Sequence, residues 1–298
     1  MHAGSLQLSN LTPLGRKARL SEVDLIRFCS EIFPQEPMSD LLVNEARFGL
    51  SRVLPILHSF ESESPNVLEV GAGSCILSAY LSSTGFRVTA LEPLGPEFDF
   101  FNDVQFRVLD FCQRKAIRLN LIRATGEQLD SAGEFDFAFT INALEHMREP
   151  ILTIDNMYRS LKPGGLVLAC CPNYTIPLEV HFNIFLVTRS KRLNEWLYRS
   201  KINRYPRVWD ELNFIRYVDV RRHLARRELQ FAFNRATMRD LVARLLTDPI
   251  FAQRMPTLVR AIGAGLKYCG LLNVLALIPP RFQTPMEVLI RRPDGAFD

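Results

Sequence analysis

The sequence predicts an α/β protein: a doubly wound, mostly parallel sheet of seven strands, with helical insertions forming a cap. Three observations carry that expectation. Short apolar runs alternate with stretches of helical periodicity from residue 66 to residue 171, and strands linked by helices make a parallel sheet covered on both faces. The first run ends in Gly71-Ala72-Gly73, where the chain turns into a helix. Two late apolar runs, 229–233 and 286–291, supply the strands that close the sheet.

The elements follow in order. Ser21 is an N-cap with Asp24 three residues on, opening a first helix. Leu41, Leu42, Ala46, Leu50, Val53, Leu54 and Leu57 recur at helical spacing, and that second helix ends near Ser59. Strands are expected at 66–70, 86–91, 119–124, 135–141 and 166–171, with helices at 74–83, 103–117 and 150–161. After Pro172 the rhythm breaks into a segment rich in arginine and aromatic residues, including Phe182, Phe185, Trp196, Tyr198, Tyr205 and Trp209. A helix at 218–227 leads to the strand at 229–233, and a helical insert fills 237–279. The organisation is therefore an N-terminal helical extension (1–63), a ligand-binding core (64–173), an insertion (174–216), a core helix and sixth strand (217–235), a second insertion (236–283), and a last strand with its tail (284–298).

Composition sets bounds on function. The chain has 298 residues, 47% of them hydrophobic, enough for one large domain with insertions. A net charge of +4 argues against a nucleic-acid partner. The charge is uneven, however: Arg189, Lys191, Arg192, Arg199, Lys201, Arg204 and Arg207 cluster, followed by Arg216, Arg221, Arg222, Arg226 and Arg227. Such a run is either a solvated helical face or a patch for an anionic substrate or membrane. The cysteines (Cys29, Cys75, Cys112, Cys170, Cys171, Cys269) form no C-x-x-C pair and no metal spacing, as expected of reduced thiols in the cytoplasm. Met1 to Asn10 contains no apolar core of a secretory signal, and the apolar stretch 271–278 is too short to span a bilayer.

The chemistry concentrates around Glu69-Val70-Gly71-Ala72-Gly73-Ser74. A parallel strand ending in a glycine turn at a helix N-terminus lets the backbone approach a ligand closely. In an open α/β sheet the crevice beyond the strand ends is where ligands bind. The third glycine of a dinucleotide fingerprint is replaced by Ile76. Glu92, followed by Pro93, stands at the end of the second strand, where a carboxylate can accept from both hydroxyls of a ribose. Taken alone, Glu92 also fits an ordinary strand-end carboxylate.

Five motifs in order resemble the class I S-adenosylmethionine-dependent methyltransferases: the stretch 69–74, Glu92, Ala124-Thr-Gly-Glu-Gln-Leu129, the run from Phe135 to His146, and Leu161-Lys-Pro-Gly-Gly165. The resemblance covers residues 66–173 and implies a Rossmann-like fold with S-adenosyl-L-methionine as cofactor. It implies that Glu69, Gly71, Ala72, Gly73 and Ser74 wrap the methionine part, that Glu92 and Pro93 meet the ribose, and that Thr125, Gly126 and Glu127 meet the adenine. Asn142 and Ala143 complete the cofactor set. The acidic residue the family carries in the adenine loop is Thr125 here, so that contact is the weakest.

Methyl transfer from a sulfonium needs in-line positioning and, for a hydroxyl acceptor, a base. His146 follows the fourth strand and His181 the fifth, and either suits that role. Some relatives hold a divalent ion through an E-x-x-E-H run and a later histidine. Glu145, His146, Glu179 and His181 offer a comparable set, although the first position of the run is Asn142. Plain structural histidines are the third alternative. The arginines and aromatics of the insertions suggest a small, glycan or lipid-linked acceptor, anionic or ring-bearing, modified on oxygen. The rival readings are a nicotinamide-dependent oxidoreductase, which Ile76 and the Leu-Glu-His run oppose, and an inactive fold serving as a membrane-associated module, with 258–278 lying on the inner face of a bilayer.

Overall fold

The computed structural model describes residues 20–34, 39–62, 64–93, 99–188, 190–253, 255 and 257–295. The first ten residues, on which the expectation of no secretory signal rests, lie outside them, as does Arg189 of the basic run. Helix α1 (Glu22–Ile32) begins at Ser21, whose side chain accepts the Asp24 amide, and α2 (Ser39–Leu57) follows. The alternating core comprises β1 (Asn66–Val70), α3 (Ile76–Ser83), β2 (Arg87–Leu91), α4 (Asp99–Arg114), β3 (Asn120–Ile122), β4 (Phe135–Ile141), α5 (Pro150–Ser160) and β5 (Leu161–Cys171). The first insertion contains a short hairpin of β6 (Leu178–Glu179) and β7 (Ile184–Phe185), then α6 (Lys191–Ile202) and α7 (Pro206–Glu211). Then come α8 (Tyr217–Arg226), β8 (Gln230–Phe233), the helices α9 (Thr237–Thr247), α10 (Pro249–Gln253) and α11 (Thr257–Tyr268), and finally β9 (Met286–Arg291).

Seven strands form one sheet in the order β3-β2-β1-β4-β5-β9-β8. The pairs among β1 to β5 are parallel, while β9 runs antiparallel to both β5 and β8. The central strands are largely apolar because both faces are covered. Phe137, Phe139, Leu168 and Leu289 pack with α1 to α4 on one face. Their neighbours Ala138, Val167, Ala169, Val288 and Ile290 pack with α5 and α8 on the other. That alternation is the two-residue period of a strand made visible in three layers.

This topology places the site. The order of connections reverses between β1 and β4, and a doubly wound sheet opens a crevice at such a point, beyond the carboxyl ends of its strands. Since β9 opposes both neighbours, β8 points the same way as β5. Hence the segment after β5 and the segment between β8 and β9 both rise from that same end of the sheet. Two side-chain amides pin their bases. Asn173 donates to the carbonyls of Arg281 and Gln283 and accepts from the amides of Thr175 and Tyr217. Gln283 donates to the carbonyls of Leu275 and Ile278 and accepts the Met238 amide.

Arg52 ties α2 to the far side of the sheet. Its guanidinium lies 3.1 Å from Asp240 on α9 and 3.5 Å from Glu287 on β9, with little of any of the three exposed. Removing one partner of such a buried set strands the others without a counter-charge. Arg52→Ala should therefore cost about 3 kcal/mol, read as a lower urea midpoint at unchanged slope. A midpoint within error of the parent would refute a supporting role for this cluster.

Candidate active site

A cavity of about 1320 Å³ opens at the carboxyl end of the sheet, and its walls gather the sequence-predicted residues. Glu69, Gly71, Ala72, Gly73, Ser74, Glu92, Pro93, Thr125, Gly126, Glu127, Asn142, Ala143, His146 and His181 all line it. The glycine turn is held from below: the amides of Gly71 and Ala72 donate to the Leu91 carbonyl, and the Gly73 amide donates to Glu92 at 2.8 Å. Gly71 adopts φ +76, and a side chain there would meet the Ala143 methyl at 2.5 Å. Only glycine fits a left-handed turn that the neighbouring strand end approaches so closely.

Glu92 accepts the Gly73 amide through Oε2 and lines the cavity. Glu69 accepts from the Ser78 hydroxyl on α3. Both carboxyls are pushed up by burial, Glu69 to about 8 and Glu92 to about 7. The loop after β3 is fixed from α5, where Asn156 donates to the carbonyls of Gly126 and Glu127, and the Glu127 carboxylate accepts the Glu149 amide. A Cβ on Gly126 would strike Thr153 at 2.5 Å, so this glycine serves the contact with α5. The carbonyls of Gly126 and Glu127 are thus already engaged by protein.

On the opposite wall, Glu145, His146 and His181 each offer a ligand atom within 4.8 Å of the others. The two imidazoles meet edge to face at 5.1 Å. Both oxygens of Glu145 are buried without a hydrogen-bond partner, and burial lifts this carboxyl to about 7. Burial, with His181 nearby, pushes His146 down to about 4. Glu179 is different. Burial alone would raise it, but it accepts from the His181 ring at 2.7 Å, the His181 amide at 2.6 Å and the Tyr174 hydroxyl at 2.5 Å, which together hold it below the usual range. An ionised Glu179 makes Nδ1 of His181 the donor, and in the neutral ring Nε2 then carries the lone pair. This constellation could hold a divalent cation or take a proton.

Several wall residues were not foreseen from sequence. Helix α2, read as part of an extension, contributes Leu41, Leu42, Glu45, Ala46, Phe48 and Gly49. The Asn213 side chain donates to the carbonyls of Leu144 and Met147 and so fixes the loop carrying Glu145 and His146. Nothing in the local sequence marks either. The basic and aromatic run is the main correction. None of the described arginines from 192 to 227 lines the cavity, whose guanidinium groups come from Arg148 and Arg244. Among the six aromatics singled out above, only Phe185 faces it. Phe182 and Trp209 form a separate small core with Ile184, Ile202 and Leu212, and Trp196 and Tyr205 are exposed.

The buried carboxyls have a stability consequence. Unfolding returns Glu69, Glu92 and Glu145 to about 4.3, so the folded chain holds more protons than the unfolded one up to the raised values. Their contribution is complete below about pH 4.3 and is lost as pH rises through 7 to 8. His146 acts in the opposite sense, but only below its unfolded value of about 6.5. Between about pH 6.5 and about pH 8 the melting temperature of ligand-free, chelated protein should therefore fall, and Glu145→Gln should flatten that fall. A melting temperature that rises with pH over this interval would contradict the assignment.

Comparison with known proteins places these features in a family. Residues 39–224 match a family described as a methyltransferase domain. A Mycobacterium tuberculosis protein named as uncharacterized is 33% identical over 233 residues, covering 76% of this chain and 78% of the relative. The ubiquinone biosynthesis O-methyltransferase of Rickettsia conorii is 25% identical over 140 residues, 45% of this chain and 46% of that one. Among solved structures, Haemonchus contortus phosphoethanolamine N-methyltransferase 2 in complex with S-adenosyl-L-methionine aligns with a TM-score of 0.49 at 13% identity, covering 98% of this chain and 61% of the other. Neither the oxidoreductase nor the inactive-module reading finds support in these matches. The family match spans more than half of the chain, and with the seven-stranded sheet beneath it, the protein belongs to the class I S-adenosylmethionine-dependent methyltransferases.

Proposed function

We propose that the chain methylates a hydroxyl group of a largely apolar acceptor, small or lipid-linked, with His181 as general base. The observation that carries this reading is the Glu179–His181 pair, in which a buried carboxylate holds the Nδ1 edge of an imidazole that lines the cavity. Bound S-adenosyl-L-methionine supplies an electrophilic methyl on a sulfonium that leaves as a neutral thioether. Glu92 would hold the ribose through Oε1, and the turn from Glu69 to Ser74 would cradle the methionine end. Thr125, Gly126 and Glu127 would border the adenine, with Asn142 and Ala143 at the switch point. His181 takes the hydroxyl proton on Nε2 as the oxygen bonds to the methyl carbon, and Glu179 offsets the charge that develops on the ring. The name of the rickettsial relatives supports oxygen as the methylated atom. The wall supports an apolar acceptor: Leu41, Phe48, Leu241, Phe251, Met255 and Leu266 face the cavity from α2 and the second insertion.

A second reading is favoured by the orphaned carboxylate of Glu145 beside His146 and His181. These three would hold a divalent cation against the acceptor oxygen and lower its affinity for the proton.

Four measurements test the proposal. Glu92→Ala should weaken S-adenosylmethionine binding by calorimetry about ten- to a hundredfold; unchanged affinity in a folded variant removes Glu92 from the site. In a screen of phenolic, prenylated and glycan acceptors with labelled donor, His181→Ala should lower turnover about 10²–10⁴-fold at nearly constant donor affinity. Glu179→Gln should lower the apparent pKa of the pH–rate profile, and chelator should change nothing. Activity abolished by chelator and restored by a divalent ion would replace the base with the cation.

A further inference from the structure

One side of α11 and the turns after it have no role in the fold. Val259, Ile262, Gly263 and Leu266 of α11, with Leu275 beyond it, line the cavity, and the close approach of Gly263 to Val242 seats the helix on α9. Away from that wall, Leu258, Tyr268, Leu271, Val274, Leu277 and Phe282 are exposed, Tyr268 to 93% and Leu277 to 80%. Exposed apolar side chains scattered singly are ordinary, but a contiguous set along one segment marks a contact surface. The charge of the segment is one-sided. Residues 257–282 contain Arg260, Lys267 and Arg281 and no aspartate or glutamate, and all three cations are exposed. Helix α8, which packs against the Pro280–Phe282 turn, adds the exposed Arg221 and Arg222.

We propose that α11 and the turns through Phe282 adsorb to an anionic phospholipid surface, holding the cavity mouth against the bilayer. Exposed apolar side chains in a segment whose charges are all cationic match the acyl boundary and the anionic headgroups above it. The contact is peripheral, for no described helix is long and apolar enough to cross a membrane. Ile262 fixes the geometry: it is 55% exposed and also lines the cavity, so it stands at the rim. A lipid-linked acceptor would pass from the bilayer past this rim without crossing water. That passage rests on the acceptor proposed above; the adsorption is tested without any acceptor.

Cys269 sits within the segment and is the exposed member of the six cysteines. An environment-sensitive dye on Cys269 should shift to the blue when the full chain meets vesicles of equal parts phosphatidylcholine and phosphatidylglycerol. It should respond weakly to phosphatidylcholine alone, and high salt should reduce the shift. The same vesicles should carry unlabelled protein upward in a flotation gradient. The double variant Leu258→Glu with Leu277→Glu, neither residue facing the cavity, should lose at least about tenfold in vesicle partitioning while its S-adenosylmethionine affinity stays at the parent value. Parent protein that remains at the bottom of the gradient with anionic vesicles overturns the proposal. So does a blue shift that grows with protein concentration without lipid, since that assigns the surface to a second copy of the chain.

Discussion

The hydrogen bond from the Gly73 amide to the Glu92 carboxylate joins the ends of two adjacent parallel strands, β1 and β2, beside the crevice of the sheet. It satisfies a backbone donor that the turn exposes, and it fixes a carboxylate on the cavity wall. Much else follows from keeping those two strand ends in register. Leu91 accepts the amides of Gly71 and Ala72, so the turn cannot lift from β2. Gly71 must stay glycine because Ala143, at the end of β4, comes against it. A half-buried carboxyl is costly to ionise without partners, and burial accordingly raises the Glu92 pKa to about 7.

Around that fixed floor the walls come from segments with no sequence continuity. The two insertions meet the cavity because β5 and β8 end on the same side of the sheet, a consequence of the antiparallel β9 between them. Asn173 and Gln283 bind their bases into one unit through backbone carbonyls and amides. Polar side chains used in this way fix loop geometry without a hydrophobic core of their own. The cavity is therefore hydrogen-bonded at the strand ends, where backbone and carboxylate meet, and apolar where helices from distant parts of the chain are assembled. Between them stand Glu145, His146, Glu179 and His181, carried by the loops that follow β4 and β5.

What was legible in the sequence was local. The turn from Glu69 to Ser74, Glu92 at a strand end, and the alternation of strand and helix depend on residues close in the chain, and β1, β4 and β9 lie where the apolar pattern put them. Long-range contacts left no such trace. Nothing in residues 39–57 announces a cavity wall, and nothing near Asn213 reveals that it fixes the Glu145–His146 loop. The basic and aromatic run shows how composition misleads, for it records which side chains are present and not where they face. Trp209 turned inward to a core of its own, Trp196 turned to solvent, and the cavity received the aliphatic residues of the second insertion instead.

In the proposed reaction the donor lies across the ends of β1 and β2 with its reactive end toward His181. A crystal structure of the protein with S-adenosylhomocysteine tests this most directly. The account predicts ribose hydroxyls on Glu92, the methionine portion against the turn at Gly71 to Ser74, and the sulfur facing His181 and the apolar wall of α9 and α11. A ligand seated elsewhere on the sheet, or with its sulfur turned away from His181, would contradict it.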